Sequence, residues 1–272
     1  MLPRLVYAGF FLLIPLAANS YEINDGHIHY NQDMWSKIRP ENIISYLSKS
    51  DINRAVVSST PTEGTEKLYR LAPERIIPFL RPYRNYRDRY TYFSDPTIIP
   101  YLEEKIASGI YRGIGEFHLY SKNKNTPVAK QIMQLAADHE LAISAHSDYE
   151  TILALLNYQP EVRVIWAHCG MDHPVEDIKT ALQQYPNLFC ELSFRYNMFD
   201  DKDVLIPEWN SLLEKHADRF VLGMDTYMPR RWANLPEHVE FARNWLDQLS
   251  PQARKQIAVE NINRWFSPVT IN

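Results

Sequence analysis

Short apolar runs alternate with amphipathic stretches along the chain from residue 21 onwards. The runs fall at 22–29, 54–59, 76–81, 111–117, 141–146, 162–167, 188–193 and 220–224. Most are nearly continuous in apolar residues, the pattern of parallel strands covered on both faces. Between them the apolar positions recur at helical spacing. In 126–140, for example, Val128, Ile132, Leu135 and Ala136 fall on one face. Helices are predicted at 40–50, 62–72, 96–108, 126–140, 149–157, 174–184, 207–216, 237–249 and 251–266, with a polar and aromatic loop over 83–93. Strands that alternate with helices argue a parallel sheet, and a count of eight argues a closed (β/α)8 TIM barrel. The rival, an open doubly wound sheet, lacks support because no glycine-rich phosphate loop follows the first run. No linker or repeat interrupts the pattern, so a single α/β domain is expected over 21–272.

Residues 1–20 read differently. Arg4 precedes an apolar run over 5–16, and Ala18-Asn19-Ser20 has the small-x-small form of a cleavage site. The run is short for a membrane span and suits a signal peptide. An exported protein, periplasmic or secreted, is expected, with no stable span once the signal is cut. The two cysteines, Cys169 and Cys190, make no disulfide framework, and two buried free thiols are the expectation.

Composition adds limits. The chain of 272 residues is 45% hydrophobic and 23% charged, enough for a large core. A net charge of −4 and a pI of about 6.1 give no basic face, so nucleic acid is not an expected partner. A small-molecule substrate is, and a homo-oligomer is compatible. Eighteen Pro against eight Gly suggest stiff loops.

The chemistry gathers at strand ends. In Asp25-Gly26-His27-Ile28-His29 the two histidines point to one face of a strand, and neutral imidazole is a common metal ligand. Glu116, His146, His168 and Asp225 stand at the ends of the fourth, fifth, sixth and eighth predicted strands. A barrel closes such positions into one ring at the face where active sites are built. Each residue alone reads as an ordinary buried histidine, rim carboxylate or cap. Together they need compensation away from water, which a bound dication supplies. Arg81 and Arg195, near the same mouth, are candidates for binding an anionic group, and His118 and His173 for facing the pocket. Asp25 is expected to support the His27 loop or to serve as a turn residue.

This ordered set resembles the amidohydrolase superfamily, within it the amidohydrolase-related group that includes decarboxylase relatives. The residues that carry the resemblance are His27-Ile28-His29, His146, Ala167-His168-Cys169-Gly170, Gly223-Met224-Asp225-Thr226 and the ending Asn261-Ile262-Asn263-Arg264-Trp265-Phe266. The resemblance implies that His27, His29 and Asp225 hold a first divalent metal, usually zinc. It implies that His146 joins them or holds a second ion with His168. Glu116 departs from the carboxylated lysine of many two-metal members and is similar to TatD-like hydrolases, so one or two ions remain open. The implied activity is hydrolysis of an ester, lactone, amide or phosphoester of a small anionic molecule by hydroxide formed on the metal. Asp225 would then move the proton, and His168, if not a ligand, would polarise the substrate oxygen. The alternatives are a nonoxidative decarboxylase on the same site and a TatD-like nuclease.

Overall fold

The computed structural model describes residues 21–266. The export signal expected at 1–20 lies outside the described residues. Eight parallel strands follow one another around a sheet in sequence order: β1 (Ile23–Ile28), β2 (Ile52–Ser58), β3 (Ile76–Leu80), β4 (Gly113–Leu119), β5 (Ala142–Ser147), β6 (Val164–Trp166), β7 (Leu188–Glu191) and β8 (Phe220–Val221). Helices α1 (Pro40–Lys49), α2 (Glu63–Leu71), α3 (Ile98–Ile106), α4 (Pro127–Asp138), α5 (Tyr149–Tyr158), α6 (Val175–Gln184) and α7 (Pro207–Lys215) connect them. The fold is a single-domain (β/α)8 TIM barrel. No helix of the described residues is long and apolar enough to cross a membrane.

The seam between β1 and the segment after β8 is closed by backbone bonds. Gly26 N donates to Leu222 O at 2.7 Å, Asp225 N to His27 O at 2.7 Å, and His29 N to Thr226 O at 3.0 Å. Asp25 reinforces it, since its Oδ1 accepts from the backbone N of His27 and of Met224 at 3.0 and 2.9 Å. Asp25 is wholly buried, and burial pushes its carboxyl up to about 7. The closing strand is thereby held by a side chain as well as by its short ladder.

The strands alternate side chains between two layers. Val56, Ile77, Phe79, Ala142, Ile165, Phe189 and Val221 form an inner cluster with Ile262, Trp265 and Phe266 from the C-terminal helix. Trp265 packs on Phe189 at 4.3 Å between ring centroids, and Phe266 on Phe79 at 5.4 Å. Burying each of these two aromatic side chains stabilises the fold by roughly 1.5–3 kcal/mol. The other strand faces pack against the helices.

Three local expectations are corrected. A short helix, α8 (Pro229–Ala233), stands between the eighth strand and α9 (Leu235–Leu246). Its Pro sits in the first turn, where the missing N–H costs nothing. The last predicted helix is divided into α10 (Pro251–Lys255), a π-turn (Gln256–Glu260) and α11 (Asn261–Trp265). The cysteines are joined as a disulfide, Cys169–Cys190, not left as free thiols. Pairing of Trp166 with Cys190 across β6 and β7 carries the turn after β6 over β7, and the two Cα atoms lie 4.7 Å apart.

Candidate metal centre

His27 and His29, two apart on and just beyond β1, turn their rings into the barrel mouth. The Nδ1 of His27 lies 2.7 Å from Glu191 Oε2, and the Nδ1 of His29 lies 2.5 Å from the carbonyl oxygen of Ser58. Carboxylate and carbonyl oxygens only accept, so each Nδ1 carries the proton and each Nε2 presents a lone pair. The two Nε2 atoms face each other at 3.1 Å. Asp225 Oδ1 completes the triad at 3.7 and 3.2 Å from the Nε2 atoms of His27 and His29, and it is buried without a hydrogen-bond partner. Two lone pairs and an unpartnered carboxylate oxygen converge with no proton to share. A tetrahedral ion with bonds of about 2.0–2.1 Å separates its ligand atoms by roughly 3.3 Å, so the residues fit a divalent ion of zinc's size.

Glu116 on β4 borders this triad. Its Oε2 lies 3.4 Å from His27 Nε2 and 3.3 Å from His29 Nε2, and Arg81 donates to the same oxygen at 2.6 Å. Its Oε1 takes a contact from His146 Nδ1 at 3.1 Å and stands 3.7 Å from His168 Nε2. Among the described residues, three triads could hold an ion: His27, His29 and Asp225; His27, Glu116 and His168; Glu116, His118 and His146. His146 and His168 fall in different triads.

The electrostatics ask for positive charge. Burial pulls the His27 ring down, yet Asp225, Glu116 and Glu191 together raise it well above the ordinary histidine value. His168 is raised in the same way, burial being outweighed by Glu116 and Glu191. Burial raises Glu116 and Asp225, but the neighbouring histidines, His27 foremost, bring both below the usual carboxylate range. A dication satisfies the same demand without a buried imidazolium.

Backbone strain aims two of these side chains. His168 (φ 57°) and Asp225 (φ 44°) both sit in the left-handed region, which costs of order 1–3 kcal/mol per such residue. The turn at His168 is held by Glu191 Oε2, which accepts from His168 N at 3.1 Å, and by Arg195, which donates to Cys169 O at 2.9 Å. Arg231 on α8 holds the other, donating to Asp225 O at 2.9 Å and Met224 O at 2.5 Å.

A cavity of about 470 Å³ opens over the cluster. Its wall includes His29, Arg81, Glu116, His118, His146, His168 and Asp225, with His27 in the floor triad. Two expected members are elsewhere. Arg195 is buried beneath the mouth against Trp209, bonded to the carbonyls of Cys169 and His173. His173 stacks on Tyr149 and pairs with Asp177. Neither lines the cavity, because Arg195 is spent on those two carbonyls and His173 is turned to Tyr149 and Asp177. His118 is on the wall; its Nε2 accepts from Arg89 at 2.8 Å, and burial pushes the ring down to about 2.

Glu191, Arg231 and Arg89 went unnoticed in the sequence. Glu191 lies inside the apolar run 188–193, where one acid among apolar residues carries no ligand pattern of its own. A signal was present in Gly26 and Gly223. A Cβ at Gly223 would lie 2.0 Å from Glu191 Oε1, and one at Gly26 would lie 3.6 Å from Glu191 Cγ and 2.9 Å from Leu222 O. Gly223 leaves room for this carboxylate beneath the histidines, and Gly26 leaves room for the close approach of Leu222 O across the seam.

Fold and site together point to a class: a TIM-barrel enzyme whose mouth carries a histidine–carboxylate cluster able to hold a metal ion, a metal-dependent hydrolase. The chain belongs to the Amidohydrolase family, which matches residues 101–267. No curated protein matches it. Among solved structures, an uncharacterised TIM-barrel protein of Bordetella bronchiseptica is 14% identical, with a TM-score of 0.63 over 83% of this chain and 81% of that one. A phosphotriesterase homology protein of Escherichia coli, complexed with phosphate in its active site, is 12% identical, with a TM-score of 0.62 over 90% and 97%. A "probable 2-pyrone-4,6-dicarboxylic acid hydrolase" of Acinetobacter baumannii with citric acid bound is 13% identical, with a TM-score of 0.60 over 90% and 99%. At these identities the likeness is one of fold.

Proposed function

We propose that the protein hydrolyses an ester, lactone, amide or phosphoester bond of a small molecule with a single zinc-like ion held by His27, His29 and Asp225. The observation that carries this is the convergence of two imidazole lone pairs on the unpartnered Asp225 Oδ1. Arg81 at 2.6 Å already neutralises Glu116, which favours a bordering role for that carboxylate over a bridging one. A divalent ion there supplies Lewis acidity for the scissile oxygen and acidifies the attacking water.

The chain's own groups do the rest. Asp225 takes a proton from the water as its oxygen bonds to the scissile carbon or phosphorus, then returns it to the leaving oxygen or nitrogen as that bond breaks. His168, whose Nδ1 accepts from the Ser193 hydroxyl at 2.9 Å in the tautomer that protonates Nε2, turns that Nε2–H toward the cavity and donates to the oxygen on which charge develops. Glu191 keeps His27 in the tautomer that leaves Nε2 free. We also propose export, read from residues 1–20.

The test is metal content per chain, by elemental analysis of protein purified without chelator, alongside turnover on an ester, lactone, amide and phosphoester panel. One zinc-like ion with chelator-sensitive turnover is expected. Two ions would assign Glu116 a bridge, and no ion after reconstitution would overturn the reading.

A further inference from the structure

Four consecutive residues after β6 hold a left-handed backbone: His168 (φ 57°), Cys169 (φ 45°), Gly170 (φ 77°) and Met171 (φ 57°). Only the glycine adopts that region without cost, and the others persist there because their surroundings over-determine them. The covalent and hydrogen-bonded holds that reach this turn from distant parts of the chain come from one segment, residues 190–195. Cys190 is bridged to Cys169, Glu191 Oε2 accepts from His168 N at 3.1 Å, Ser193 Oγ meets His168 Nδ1 at 2.9 Å, and Arg195 donates to Cys169 O at 2.9 Å. Successive residues of β7 point to opposite faces. Glu191 therefore grips the turn from the barrel interior, beside His27, and Cys190 grips it from the layer packed against the helices.

We propose that Cys169 and Cys190 are a positioning pair: their bridge keeps the left-handed turn from relaxing and so aims the His168 ring into the cavity. The proposal rests on the donor role that the hydrolase reading gives to His168. The hydrogen bonds on the turn are divided, since Glu191 Oε2 also serves His27 Nδ1 and Arg195 also serves the carbonyl of His173. The bridge alone is undivided, and both its sulfurs belong to wholly buried residues. With it opened, His168 and Cys169 return toward the ordinary φ of about −60°. That change re-aims the Cα–Cβ bond of His168 and unseats its ring from Ser193. Glu191 stays in place, because β7 remains paired to β6 through Trp166 and Cys190 and to β8 through Glu191 and Val221.

The experiment compares the unsubstituted protein with the Cys169→Ser/Cys190→Ser variant, both loaded with zinc. Isotope-labelled histidine reads the His168 ring by magnetic resonance, its signals identified by their loss in His168→Gln. Amide hydrogen exchange reads the turn at His168 N and at Met171 N, which donates to His168 O at 2.9 Å. In the double variant this exchange should quicken about tenfold or more, the effect of one left-handed residue's strain no longer opposed. The His168 ring signals should shift or broaden, while zinc affinity stays within about threefold because the triad lies on other strands. On any substrate the panel reveals, kcat should fall about tenfold or more with KM kept, as for a misplaced donor. Unchanged ring signals, an unchanged turn, an unchanged kcat, or exchange that quickens equally in β1 and in the turn would overturn the proposal. Should the double variant not fold, unsubstituted protein refolded with a dithiol reductant takes its place. Failure of that protein to fold would also overturn the proposal, since the bridge would then hold the whole barrel rather than the turn. The ring and exchange readouts need no turnover. A turn that loosens in a protein that cleaves nothing on the panel sinks the hydrolase reading alone, and a ring that stays put in an active enzyme sinks this inference alone.

Discussion

Replacing Glu191 with glutamine tests the support of the metal centre without touching a ligand. The carboxylate is buried and accepts three bonds: Oε2 from His27 Nδ1 at 2.7 Å and from His168 N at 3.1 Å, and Oε1 from Ser193 N. Glutamine offers one oxygen in place of two. If that oxygen takes the Oε2 position, its NH2 meets the Ser193 N–H. If it takes the Oε1 position, the NH2 meets both the His27 ring N–H and the His168 N–H. At least one buried donor loses its acceptor either way, at about 1–3 kcal/mol of stability. The variant also removes the charge that holds the His27 tautomer. Loss of such a support weakens metal binding by roughly 10–100-fold, or about 1.4–2.7 kcal/mol. Competition against a chromophoric chelator reads the metal affinity, and thermal unfolding of metal-free protein reads the stability separately. An affinity within twofold of the unsubstituted protein would refute the claim that Glu191 tunes the centre. Weaker binding with no loss of stability would refute the count of orphaned donors.

Asp225→Asn keeps the shape of the side chain and removes its basicity. Turnover should fall by roughly 10²–10⁴-fold with the fold retained by circular dichroism, and an unchanged rate would remove Asp225 from proton transfer. Replacing both Cys169 and Cys190 with serine opens a bridge across a sequence separation of 21. The chain-entropy relation gives about 3 kcal/mol of lost stability, measured by denaturant midpoints, and a loss below about 1 kcal/mol would show that the bridge adds little.

Much of the barrel was legible because its signals are local. Buried parallel strands announce themselves as apolar runs, and seven of the eight end within two residues of where the runs predict. The eighth does not: a run expected over 220–224 pairs only at Phe220–Val221, because residues 222–226 turn instead to β1 and to Asp25. Helix α8 escaped notice because its five residues are too few to show a period. His27, His29, Glu116, His146, His168 and Asp225 could be nominated from position alone, since a residue of ligand type at a strand end is a local feature.

What the sequence determined by itself was therefore the element order, the barrel and the pool of ligand-type residues, all set by periodicity and by the placement of polar groups at the ends of apolar runs. Which of those residues lie close enough to share an ion, and which arginine faces the cavity without a counter-charge, only the tertiary structure decided. Arg81, Arg89 and Arg195 are alike in sequence; one is neutralised by Glu116, one braces carbonyls beneath a left-handed turn, and one faces the cavity without a counter-charge. Pairing of charges and the cysteine bridge depend on distances between segments far apart in the chain, and closure of the barrel is what sets those distances.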